Sequence, residues 1–174
     1  MPEKESTATT SLVKLISQKS CSNFLHYGEP SISTIEKASP EVFLFCYTEL
    51  INPFEIWEDP ATKVRFYFSH SDTGFTTGVM MIPADTELPK HNRPLAIENL
   101  VQVSGKCLMT VFDDSDNPSD YILEVGSTLS MLKGQYHIHA NPYEEPSYTL
   151  FKAEGDITVI VANVRETFTA ISLN

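Results

Sequence analysis

The sequence predicts an all-β protein, an antiparallel sandwich or barrel, over most of its length. Eight or nine short runs rich in Val, Ile, Phe, Tyr and Thr follow one another from residue 63, each bounded by Gly, Pro, Asn or Asp. Helical patterns do not alternate with these runs, which argues against a parallel α/β sheet. The length of 174 residues, with 41% apolar and 20% charged residues, suits one globular domain with its own core.

The elements read in order as follows. Residues 1–10 are polar and are expected to fray. At 11–18 (SLVKLISQ), Leu12, Leu15 and Ile16 fall at i, i+3 and i+4, an amphipathic helical turn or two that Ser11 can cap. A turn follows at Gly28-Glu29-Pro30. Ser39-Pro40-Glu41 has the form of a helix start, yet 42–48 (VFLFCYT) favours a strand, so 42–50 reads as helix or irregular arm. We therefore divide the chain into a partly helical extension, 1–54, and a β-domain, 55–174. Strands are expected at 63–70, 75–84, 95–105, 106–114, 121–125, 128–134 and 136–140, with turns at 71–74, 113–119 and Lys133-Gly134. The last two runs, 147–155 and 156–166 (DITVIVANVRE), are predicted to form a hairpin through Gly155-Asp156.

Charge and cysteine usage exclude several function classes. A formal net charge of −11 argues against nucleic acid or an anionic membrane surface as a partner, while leaving room for a local positive pocket that takes a small anion. Cys21, Cys46 and Cys107 show no CxxC spacing, so neither a disulfide framework nor a zinc ribbon is expected, and a cytoplasmic setting follows. The first residues lack the apolar core of a secretory signal, and no apolar run approaches 18 residues.

The candidate site lies on strand faces. Alternation places His91 and Arg93 on one side if the chain is extended there, and Pro94 favours that geometry for Arg93. Glu98 and Gln102 share a face of the next strand, and His137 and His139 share another. All six can point into one cavity. Two imidazoles and a carboxylate suit Fe(II), and with variations Zn, Ni or Mn.

Two segments carry a family resemblance. Asp85 to Gly105 (DTELPKHNRPLAIENLVQVSG) is similar to the first cupin motif, G-x5-H-x-H-x(3,4)-E-x6-G. Asp85 stands at the glycine, His91 at the first histidine, Arg93 at the second, Glu98 at the glutamate and Gly105 at the closing glycine. Gly126 to Asn141 is similar to the second motif, G-x5-P-x-G-x2-H-x3-N, with Gly126, Gly134, His137 and Asn141 in register and Leu132 at the proline. The resemblance covers about 75–165 and implies a double-stranded β-helix, the jelly-roll barrel of cupins, often a homodimer. It implies a divalent transition metal (Fe, Ni, Mn or Zn) on His91, Glu98 and His137, with Arg93, Gln102 and His139 contacting a ligand. Arg93 departs from the pattern, because arginine has no lone pair to give a metal. It either disfavours the cation by repulsion or holds a substrate carboxylate or phosphate beside it.

Plainer readings stand next to these. The cluster also reads as a metal-free network with Glu98 paired to Arg93. His139 reads as a hydrogen-bonded support, His70 as a surface histidine, Tyr136, Tyr143 and Tyr148 as packing, and Cys107 as a small buried hydrophobe. The acidic run 113–120 lacks EF-hand spacing and reads as a solvated loop. The leading function is a metal-dependent enzyme of dioxygenase, isomerase or lyase type acting on a small anionic molecule. The alternative is a non-catalytic ligand-binding barrel that has lost its metal. A third is a structural barrel that uses no site. No helix-turn-helix accompanies the barrel.

Overall fold

A computed structural model describes residues 55–172 of the chain. The expectations for 11–18 and 42–50, and Cys21 and Cys46, lie outside these residues. Among the described residues are eleven strands and one helix: β1 (Glu55–Glu58), β2 (Arg65–Ser71), β3 (Phe75–Ile82), β4 (Thr86–His91), β5 (Ala96–Ser104), β6 (Cys107–Phe112), β7 (Pro118–Leu123), β8 (Thr128–Met131), β9 (His137–Asn141), β10 (Ser147–Gly155), α1 (Thr158–Thr167) and β11 (Thr169–Ile171).

The strands form two antiparallel sheets, one in the order β11-β1-β2-β3-β10-β5-β8 and one in the order β4-β9-β6-β7. Consecutive strands fall in different sheets at β3–β4, β4–β5, β5–β6, β7–β8, β8–β9 and β9–β10, which is jelly-roll connectivity. The inner faces supply the core: Phe68, Met80, Ile82, Leu100, Met131 and Phe151 from the larger sheet, Met109, Val111 and Leu123 from the smaller. Phe66, Phe68 and Phe151 meet edge to face or stacked, with ring centroids 5.7–6.4 Å apart.

Backbone geometry explains why the two motif segments have their anchors. Asp85 occupies the left-handed region at φ 50°, so aspartate does here what glycine does more easily. Gly105 sits at φ +68°, and a Cβ built there would lie 2.3 Å from the Pro146 carbonyl oxygen. Asn141 ties two turns together, its amide nitrogen donating to the carbonyls of Ile82 (3.0 Å), Pro83 (3.1 Å) and Glu145 (2.8 Å).

One element differs in kind from the sequence prediction. Residues 156–166 do not pair with β10 as a hairpin strand; Thr158–Thr167 is helix α1. The Asp156 carboxylate accepts from the Thr158 amide (2.9 Å) and hydroxyl (2.6 Å), turning the chain away from β10. Ile157, Val161 and Val164 then bury at i, i+4 and i+7, whereas a strand would put Ile157, Val159 and Val161 on one face, and Val159 is 80% exposed. β-Branched residues disfavour helix by only tenths of a kcal/mol each, while burying each side chain contributes about 1.5–3 kcal/mol, so packing overrides propensity.

Gly105→Ala combines a positive φ with a backbone clash. It is expected to destabilise the fold by about 3 kcal/mol, read as a lowered urea midpoint at unchanged m-value. A midpoint within error of the wild type would contradict this geometry.

Candidate metal centre

The site bridges the two sheets. His91 ends β4, His137 begins β9 in the same sheet, and Glu98 reaches across from β5 in the other. The β4–β9 register runs from Leu88 opposite His139 to His91 opposite His137, so three steps on β4 match two on β9. This bulge decides the chemistry of the site. Without the extra residue Lys90 would face inward opposite His137; with it, His91 does. Lys90 points away, over the Phe112 ring and onto Asp116.

His91, Glu98 and His137 each offer a ligand atom, all within 4.8 Å of one another. The histidine tautomers follow from their partners. His91 Nδ1 donates to the Pro89 carbonyl (2.6 Å) and His137 Nδ1 to that of Gln135 (3.0 Å). Carbonyl oxygens only accept, so in each neutral ring Nε2 is left with the lone pair. His137 Nε2 lies 3.5 Å from Glu98 Oε2, and that oxygen is buried with no hydrogen bond. Two acceptors facing each other at this distance need a cation between or beside them, whether the Arg93 guanidinium, a proton or a metal ion. The donor set, two nitrogens and one carboxylate oxygen, fits a divalent transition metal.

Arg93 occupies the loop after β4. Its Nε lies 3.7 Å from Glu98 Oε2 and its Nη1 donates to the Asn92 carbonyl (3.4 Å). Burial would raise the Glu98 pKa, but Arg93 and then His137 outweigh it and hold the carboxyl at about 2. His91 is pushed down to about 4, first by burial and then by Arg93 and His137. At neutral pH the cluster therefore holds a carboxylate and a neutral His91.

His139 and Gln102 sit deeper. Gln102 Nε2 donates to the Ser104 carbonyl (2.9 Å) and to Ser147 Oγ (2.9 Å), so its Oε1 accepts from Thr149 Oγ1 (2.7 Å). Thr149 has then spent its proton and accepts from His139 Nε2 at 3.3 Å. This orientation leaves the lone pair of His139 on Nδ1, the opposite tautomer to His91 and His137. Burial drives the His139 pKa down to about 3. Gln102 stands behind Thr149 and His139 and does not line the cavity, unlike the sequence expectation. Thr149 had no signal in the sequence beyond its place on an inward strand position.

The cavity holds about 20 Å³, room for about one water molecule. His91, Arg93, Glu98 and His139 form its polar wall. Phe66, Phe68, Met80 and Phe151, with Ile157, Ile160, Val161 and Val164 of α1, form the apolar one. Helix α1 thus closes the barrel over the site. Of the other residues singled out, His70 pairs with Asp72 at the surface (2.8 Å), Tyr136 is exposed, and Cys107 is buried.

No protein-family model matches the sequence, and no curated protein matches it. Solved structures do. An oxalate decarboxylase aligns at a TM-score of 0.50 and 18% identity, over 63% of this chain and 28% of that one. The cupin domain of Schizosaccharomyces pombe Cnp3 aligns at 0.48 and 20%, over 59% and 70%. KdgF from Halomonas sp. aligns at 0.49 and 8%, over 59% and 91%. This chain spans less than half of a matching oxalate oxidase, 42% of that chain. The protein thus has the cupin fold, a double-stranded β-helix. At these identities the likeness establishes the fold alone. No helix among the described residues is long and apolar enough to cross a membrane.

The depressed values set a pH response. The folded protein keeps His91 and His139 neutral down to about pH 4 and 3, while the unfolded chain takes up their protons near 6.5. The unfolded state binds more protons in that window, so stability rises with pH and is lost as pH falls from about 6.5 toward 4. Glu98 adds a loss in the same direction between 4.5 and about 2. The melting temperature of metal-stripped protein is expected to fall from pH 7 to pH 4 more steeply than that of His139→Gln; parallel curves would show that His139 is not held neutral.

Proposed function

We propose that this chain is a metal-binding cupin in which His91, Glu98 and His137 hold one divalent transition ion, Fe, Ni, Mn or Zn, and that it acts as an enzyme on a small anionic molecule. One observation supports this reading: two histidines held at Nδ1 by backbone carbonyls each bring a ligand atom within 4.8 Å of the Glu98 carboxylate, one of whose oxygens is buried without a hydrogen bond. Such an ion supplies Lewis-acid chemistry toward a bound oxygen atom, and the reaction types in keeping with it are those of a dioxygenase, isomerase or lyase.

The chain's own residues have definite tasks in this reading. Glu98 neutralises part of the ionic charge. Arg93 gives the anion a permanent cation that no pH change removes. His139, held by Thr149 and Gln102, offers an acceptor to a hydroxyl or water in the cavity. The Phe66, Phe68 and Phe151 rings, with α1, exclude bulk water and strengthen every charge interaction inside. The cavity has room for about one water molecule, so a ligand of a few heavy atoms enters only if its apolar wall moves outward. A homodimer and the division into 1–54 and 55–174 belong to the same reading.

A specific contact favours the second reading, a non-catalytic ligand-binding barrel without metal: Arg93 already stands 3.7 Å from Glu98 as a competing cation. Elemental analysis separates the two. Protein from metal-replete medium is expected to carry about one transition ion per chain, and His137→Ala to lose it while keeping its circular dichroism. Absence of metal, with no rise in melting temperature on adding Fe, Ni, Mn or Zn, would sink the metalloenzyme. Arg93→Ala is expected to weaken small carboxylates or phosphates at least tenfold in a thermal-shift titration, the loss of one charge-assisted contact; no wild-type response to any anion would count against the clamp.

A further inference from the structure

The larger sheet has a second apolar face that the barrel does not use. Cross-strand register places Ile171, Ile56, Tyr67, Val79, Leu150, Val101 and Thr128 in one row over all seven strands. Their neighbours in sequence, Phe66, Phe68, Met80, Leu100 and Phe151, point into the barrel, so by strand alternation this row points out. Outward residues of a solvent-facing sheet stay partly exposed. Here Val101, Leu150 and Val79 are 1%, 4% and 5% exposed, and Val103 on the same face is 2%, although none belongs to the core cluster. The smaller sheet shows the contrast, with outward Ile122 60% exposed. A layer must lie over the centre of the larger sheet.

Helix α1 is not that layer, because Ile157, Val161 and Val164 pack into the core inside the barrel. The covering layer also has polar work to do. Thr128 Oγ1, in the row, and Asn99 Nδ2, beside it on β5, are buried without a hydrogen-bond partner. Chain supply points one way: 54 residues precede β1, and they join the sheet at Glu55, next to Ile56 of the row itself. Directly before that junction runs the most apolar stretch of those residues, VFLFCYTELI at 42–51.

We propose that this outer face is the docking surface for the chain's own residues 1–54, seated chiefly through the run at 42–51. The face spans about 19 Å from β2 to β8 at a strand spacing of about 4.8 Å, and ten residues reach about 15 Å as helix or about 33 Å extended. The run is therefore long enough to span the sealed centre as helix or strand. The proposal is independent of the metal reading, since the face lies outside the barrel.

Photo-cross-linking on the full chain tests it. Benzoylphenylalanine replaces Tyr67, in the row, and in a second variant Lys152, outward on β10 opposite Asn99. Co-expression with isotopically heavy and light chains distinguishes links within a chain from links between chains. The expected product joins position 67 or 152 to a peptide containing 42–51 of the same chain. Mixed heavy–light products at these positions would overturn the proposal in favour of a second copy on the face. Products confined to residues after 54, or none in either variant, would overturn it as well.

Discussion

Glu98 carries a full negative charge inside an apolar barrel, and the rest of the site is arranged around that fact. Removing a carboxylate from water costs several kcal/mol even after relaxation, so it persists only with compensation in place. Arg93 supplies a fixed positive charge 3.7 Å away and holds the group ionised. The two histidines contribute lone pairs and no negative charge. In our reading, a divalent ion beside one carboxylate and one arginine leaves excess positive charge, which an anionic ligand would offset. On that reading Arg93 does not exclude the metal; it makes the metal site an anion site.

The placement of these groups depends on register more than on residue type. One extra residue between Leu88 and His91 turns His91 inward and Lys90 outward. The Gln102–Thr149–His139 chain fixes a third histidine in the opposite tautomer, its order dictated by the Ser104 carbonyl at the far end. Helix α1 and the phenylalanine cluster complete the wall that keeps these polar contacts dry.

The fold was legible because its signals are local. Strand runs, turn residues and the motif anchors Asp85, Gly105, Gly126, Gly134, His137 and Asn141 report backbone conformation, and four of these six have positive φ. His91, Glu98 and His137 could be brought together by alternation and the motif resemblance. What was not legible depends on tertiary context. TVIV at 158–161 prefers a strand by propensity, and only its burial pattern against the barrel makes it helix. Gln102 falls on an inward position, but its partners Ser147 and Thr149 lie 45 and 47 residues away and remove it from the cavity wall. The bulge before His91 leaves no mark in the sequence beyond Pro89.

The central claim of our reading is that Glu98, whose buried oxygen lies beside Arg93 without a hydrogen bond, binds a metal ion. Calorimetric titration of metal-stripped protein with a divalent transition ion, wild type against Glu98→Gln, tests it most directly. Glutamine keeps the shape and removes the charge. The account predicts one site per chain in the wild type and at least a hundredfold weaker affinity in the variant, about 2.7 kcal/mol. Equal affinity in the two proteins, or no binding by a folded wild type, would contradict it.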